Sequence, residues 1–189
     1  MLETKMTNKI NIKKVRLWLK SNTTANPSAM ELLRAGILSG LFVGAITWIY
    51  EVILYAYILH TTGTYEISAR GAFLVFGPGV KALGVGVLLV GMSVHFGTAA
   101  LWAILFAFLW PRLRSWHVEA SLAGVVFGLV ACVVMGAVVT NFARIAVEPS
   151  RVMILFAVVY HTLAFGIPLA LTVQNLLRVR LSEATAPPQ

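Results

Sequence analysis

The sequence predicts an all-α membrane protein: four transmembrane helices forming two repeated hairpins, with both termini in the cytoplasm. Composition, four long apolar stretches and a one-sided distribution of cations carry that reading. Of 189 residues, 59% are apolar and 12% charged, and the mean hydropathy is +0.84. Soluble domains carry about 25% charged residues, so this chain cannot cover a globule with polar surface. All seven acidic residues are glutamates, which excludes site chemistry built on aspartate, such as an aspartyl-phosphate or the usual EF-hand loop. The single cysteine, Cys132, forbids an internal disulfide or a CxxC pair. In a membrane protein the +8 net charge reports topology, and no nucleic-acid partner is expected.

A hydrocarbon core about 30 Å thick takes roughly 20 apolar residues at a rise of about 1.5 Å each. Residues 1–30 form a basic cytoplasmic arm without an apolar h-region, so the first span is expected to be an uncleaved signal-anchor. Within the arm, Lys9 to Lys20 (KINIKKVRLWLK) reads either as an interfacial helix on anionic inner-leaflet lipids or as a frayed basic segment. The bundle occupies residues 31–178. Its spans are predicted at Ala35 to Leu59, Gly86 to Trp110, Ala120 to Phe142 and Val152 to Val173. Trp110-Pro111-Arg112 is expected to stop the second span with an interface aromatic, a helix breaker and a cation. The link at residues 61–85 contains GAFLVFGPGV, too short to cross, and reads either as a short helix or re-entrant turn at the outer interface or as a segment packed against the span bundle. Residues 179–189 are expected to be a disordered cytoplasmic tail.

Orientation follows from the cations. Lys5, Lys9, Lys13, Lys14, Arg16, Lys20, Arg34, Arg112, Arg114, Arg178 and Arg180 fall on one face, against Arg70, Lys81, Arg144 and Arg151 on the other. The positive-inside rule places the richer face, and both termini, in the cytoplasm of an inner-membrane protein.

An internal repeat connects the hairpins. Ala35-Gly36-Ile37-Leu38-Ser39-Gly40-Leu41 matches Ala123-Gly124-Val125-Val126-Phe127-Gly128-Leu129, both AGxxxGL, and each partner span carries one histidine. Gly36, Gly40 and Gly44 recur every fourth residue, as do Gly124, Gly128, Cys132 and Gly136. Such stripes let a neighbouring backbone approach closely where lipid removes the hydrophobic drive, so all six glycines are assigned to helix packing. The packing partner is either another span or another subunit, so a homo-oligomer or larger membrane complex stays open. Pro168, in the middle of the fourth span, is predicted to kink it, and Asn141 to bond across to another helix.

Ionisable groups inside apolar spans face the bundle interior or water. Glu51, His95 and His161 are the candidates, and counting helical rise from the cytoplasmic ends puts all three in the outer half. A carboxylate beside imidazoles can relay protons. Two histidines on two helices could ligate a haem b from both faces, with Arg144 or Arg151 for its propionates. Two histidines and a glutamate also make a transition-metal set, although no metal is assigned. The purely structural alternative is a neutral histidine bonded to a backbone carbonyl and a glutamate that snorkels. His60 and His117 lie in links and are expected to be solvated.

The run from His95 through Trp110-Pro111-Arg112-Leu113-Arg114-Ser115-Trp116, then a Gly-rich AGxxxGL span and a second His-bearing span, resembles small bacterial inner-membrane proteins of the YagU type. The resemblance covers about residues 90–175 and implies a role in acid-stress tolerance. No GxSxG elbow, HExxH helix, Walker loop or carboxylate pair points to an enzyme. Three functions follow: proton or small-solute handling without a cofactor, a bis-His haem electron-transfer subunit, or a structural subunit docking through its glycine stripes.

Overall fold

The first span starts at Ala29 rather than Ala35, because a polar cap, not apolarity, nucleates it. In the computed structural model, which describes residues 27–60, 62–144 and 151–184, Ser28 is the N-cap of a capping box. Its hydroxyl accepts from the Glu31 N–H at 3.3 Å and the Glu31 carboxylate accepts from the Ser28 N–H at 2.7 Å. Lys9 to Lys20 lies outside the described residues. Four helices are long and apolar enough to cross a membrane: Ala29–Ile58, Gly86–Ser115, Ala120–Phe142 and Arg151–Arg178. No strand occurs among the described residues. The chain is an all-α membrane protein of four spans.

Size rather than polarity decides which side of each span faces inward. In the first span Ala35, Gly36, Ser39, Gly40, Val43, Gly44 and Thr47 are buried, while Leu38, Leu41, Phe42 and Ile49 face outward. Their spacing of three and four places the small residues on one stripe. Close backbone approach there supplies the packing that hydrophobic burial cannot supply in lipid. A Cβ on Gly36 would lie 2.6 Å from the Ile104 Cα, and one on Gly44 would lie 2.7 Å from the Phe96 ring. The third span repeats the device on the fourth, since a Cβ on Gly124 would stand 2.5 Å from the Gly166 carbonyl oxygen. The stripes at Gly36, Gly40, Gly44, Gly124 and Gly128 thus pack within their own hairpins. Gly136 does not: open space surrounds its missing side chain. The small-residue pattern continues past the point where the two helices remain in contact.

The hairpins meet through the first and fourth spans, whose Tyr50 and Tyr160 rings lie 5.5 Å apart. The second and third spans touch chiefly through an aromatic brace. Phe127 stands edge-on to Trp102 at 5.7 Å and to Phe106 at 5.0 Å. Phe106 in turn stacks on Trp110 at 5.9 Å. Trp110 is buried in this cluster and is not an interface aromatic. The second helix also continues through Pro111 to Ser115. Proline removes one backbone hydrogen bond, which a helix tolerates near its end.

The turn that follows is closely specified. His117 adopts φ +60°, and the Val118 N–H reaches back to the Leu113 carbonyl at 3.1 Å, a Schellman closure. Glu119 then caps the third helix by accepting the Leu122 N–H at 3.0 Å. That hydrogen bond holds its carboxyl below the usual carboxylate range. His60 and His117 are both exposed.

The link between the first two spans is more ordered than GAFLVFGPGV implied. A helix covers Thr64–Phe76 and a 3-10 turn covers Pro78–Leu83. Gly77 and Gly84 frame the turn at φ +76° and +55°, conformations that favour glycine. The link helix lies on the second span, where a Cβ on Gly71 would stand 2.8 Å from the Gly91 carbonyl oxygen. It is tied to the first span by the Trp48 indole N–H, which donates to the Ser68 hydroxyl at 3.2 Å. The Arg144 N–H, donating to the Leu74 carbonyl at 2.9 Å, ties it to the end of the third span.

Two spans change their winding on the side of the bundle nearer the link helix. The first becomes π-helical over Val52–Ile58, directly after Glu51, and the fourth over Tyr160–Gly166. The second π segment precedes Pro168, and its wide turn passes the Ile167 N–H to the Thr162 carbonyl. The chain thus accommodates Pro168 by widening the preceding turn. The fourth helix continues to Ala184, so residues 179–184 are helical rather than a disordered tail. Residues 185–189 are outside the described range.

Candidate functional site

Between the spans, beneath the link helix, lies a cavity of about 600 Å³. The aromatic brace of Trp102 and Phe127 limits it on one side, and the link helix contributes Ile67, Ser68, Arg70, Gly71 and Leu74 to its wall. The exposed side chains of Val133, Met153 and Ile154 mark where it meets the outside of the bundle. Glu51, His95 and His161 all stand on this one wall. Three residues from three spans, singled out only as ionisable groups in apolar sequence, therefore face a common space.

The histidines are anchored to backbone carbonyls. His95 Nε2 lies 2.9 Å from the Gly44 carbonyl oxygen and 3.4 Å from the Thr47 hydroxyl. His161 Nδ1 lies 2.7 Å from the carbonyl of Ala157, one turn earlier in its own helix. A carbonyl can only accept, so His95 carries a proton on Nε2 and His161 carries one on Nδ1. In each neutral ring the other nitrogen is left as a base. Glu51 is held differently. Tyr160, the first residue of the second π segment, lies close enough for its hydroxyl to interact with the Glu51 carboxylate and with Thr47. The Glu51 charge also acts on the His161 ring. A carboxylate, a phenol and an imidazole thus form one electrostatic unit, and His95 on the second span lines the same cavity.

The two histidines are not equivalently placed within their hairpins. His95 bonds to Gly44, whereas the His161 backbone lies against Gly128. By the AGxxxGL alignment the counterpart of Gly128 is Gly40, so His95 sits one helical turn farther along its stripe.

The donor arrangement bears on the three-ligand metal set. Among the described residues, no three of His, Cys, Asp and Glu gather closely enough to hold a metal ion. Neither Arg144 nor Arg151, the cations proposed for haem propionates, is on the wall; the arginine there is Arg70, whose guanidinium lies 4.8 Å above the Tyr55 ring. Asn141 turns back to the Ala137 carbonyl of its own helix at 2.8 Å instead of bonding across. Cys132 is a free thiol on the cavity wall.

Several wall residues escaped sequence reasoning. Thr47, Glu51 and Tyr55 stand at i, i+4 and i+8, a spacing that puts all three on one helix face. Tyr160 adjoins His161 and was the nearest polar neighbour in the sequence. Arg70 and Ser68 carried no local signal, because only the fold of the link helix brings them to the cavity. No family model, curated protein or solved structure matches the chain.

Proposed function

We propose that the chain is a multi-pass protein of the cell inner membrane, with both termini in the cytoplasm, that handles protons or a small solute at this cavity. The carrying observation is the meeting of Glu51, Tyr160, His161 and His95 on one wall between spans. A half-buried carboxylate that shares a cavity with imidazoles bearing an unprotonated nitrogen can act with them in a proton relay. π-helical turns recur at functional sites in helices; here one begins directly after Glu51 and the other carries Tyr160 and His161. The cytoplasmic placement of the termini is supported by the excess of lysine and arginine on their side. The acid-stress role implied by the YagU-type resemblance is a function of the same kind.

Cells carrying Glu51→Gln, His95→Gln or His161→Gln are expected to restore internal pH after acid shock about tenfold more slowly than wild type, if proton transfer runs through these groups. Wild-type recovery in all three variants would overturn the reading. A reporter fused to Gln189 should be active only in the cytoplasm, and activity confined to the outside would reverse the orientation.

A further inference from the structure

The chemistry of the wall narrows the solute. Its hydrogen-bond donors are largely engaged inside the protein. Thr47 donates to the Val43 carbonyl at 2.9 Å, Thr140 to Gly136 at 2.9 Å, and Ser68 to Thr64 at 2.9 Å. Trp48 donates to Ser68, and both histidines direct their protonated nitrogens at carbonyls. Thr98, the Cys132 thiol and the Arg70 guanidinium are the exceptions. Against them stand the acceptors, the Glu51 carboxylate and the second nitrogen of each imidazole. A ligand that must receive hydrogen bonds, such as a carboxylate, a phosphate or a quinone carbonyl, finds few partners here. A ligand that brings positive charge finds several.

The rest of the wall suits such a ligand if its body is apolar. Trp48, Tyr55, Trp102 and Tyr160 offer aromatic faces, which attract cations, and methionines offer soft, adaptable surface. Arg70 over Tyr55 already shows an organic cation resting on one of these rings. A volume of about 600 Å³ suits a compact organic molecule. A small inorganic cation would need several oxygen ligands, and the wall has one carboxylate.

We propose that the cavity binds a lipophilic organic cation, of the tertiary or quaternary onium class, with Glu51 as its counter-ion. This deepens the solute-handling reading and rests on it. The charged and titratable groups around Glu51 are Tyr55 on its own span, His95 on the second, Cys132 on the third, Tyr160 and His161 on the fourth, and Arg70 on the link helix. Arg70 is the one fixed positive charge among them, so it opposes the ligand.

The test is equilibrium dialysis of the full chain in mild detergent with tetraphenylphosphonium, using tetraphenylborate as the anion of matched shape. The phosphonium should bind the wild-type chain. Glu51→Gln should weaken binding at least about tenfold, and Arg70→Gln should strengthen it by removing a like charge. The borate should not bind. Equal binding of both ions, or weaker phosphonium binding in Arg70→Gln, overturns the proposal, and neither readout depends on the folding of the Glu51 variant. Loss of acid recovery in Glu51→Gln cells without any phosphonium binding sinks the cation and leaves proton handling standing. Glu51-dependent phosphonium binding with normal acid recovery does the reverse.

Discussion

The two hairpins start alike and end differently. Each opens with AGxxxGL, and in each the glycines bring the first helix onto the backbone of the second. Farther along, the first hairpin stays closed, with Gly44 against Phe96 and the Gly44 carbonyl bonded to His95. The second lets go: Gly136 has nothing against it and lines the cavity. At the repeat's spacing its counterpart is Trp48, which braces the link helix through Ser68. The same stripe therefore serves two purposes. A small residue inside a membrane can permit contact or leave room, and only the neighbouring helix decides which.

The largest test breaks the contact half. A Cβ at Gly128 would run into the His161 carbonyl, and one at Gly40 into the Ala100 Cα. Backbone cannot move aside as a side-chain tip can. Gly128→Ala and Gly40→Ala should each lower stability by about 3 kcal/mol, the upper end of overpacking costs, measured by unfolding in mixed micelles. Gly128→Ala should also disturb the position of His161, so its acid-recovery defect should exceed that of Gly40→Ala.

The next test fills the vacant half. Gly136→Leu adds a side chain where nothing lies within 4 Å. Removing a glycine from a helix interior is worth up to about 1 kcal/mol, so stability should hold or rise while the added volume displaces the ligand. Unfolding together with phosphonium binding checks both parts, and a destabilised Gly136→Leu would mean that the two stripes are spent alike.

These differences show what could be read from the chain alone. The third span, Ala120–Phe142, was legible because Glu119 and Arg144 flank a long, mainly apolar run. The first was misplaced at its start because the Ser28–Glu31 cap acts through hydrogen bonds that hydropathy ignores. Pro111 looked like a stop because the rule against proline is strongest in mid-helix and weak in a last turn. Glu51, His95 and His161 stood out because charge in an apolar run is costly wherever it points. Their meeting depends on the π turn that swings Tyr160 toward Glu51 and on the link helix that supplies Arg70, both set by tertiary contacts.

The smallest test compares one matched position. Ser39 and Phe127 occupy the same place in AGxxxGL. Phe127 joins the hairpins by meeting Trp102 and Phe106 edge-on. Ser39 is fully buried, and its hydroxyl has no hydrogen-bond partner. An unmet buried hydroxyl costs free energy that alanine's smaller methyl does not, and alanine is the better helix former. Ser39→Ala should therefore stabilise the first hairpin by about 0.5–1 kcal/mol without changing phosphonium binding. Phe127→Ala, at the equivalent place, should cost about 3 kcal/mol because it removes the ring that spans the gap between the second and third helices. If Ser39→Ala destabilises instead, the hydroxyl has a role in the first hairpin that its surroundings do not reveal, and the matched pair would then mark two contacts rather than one contact and one vacancy.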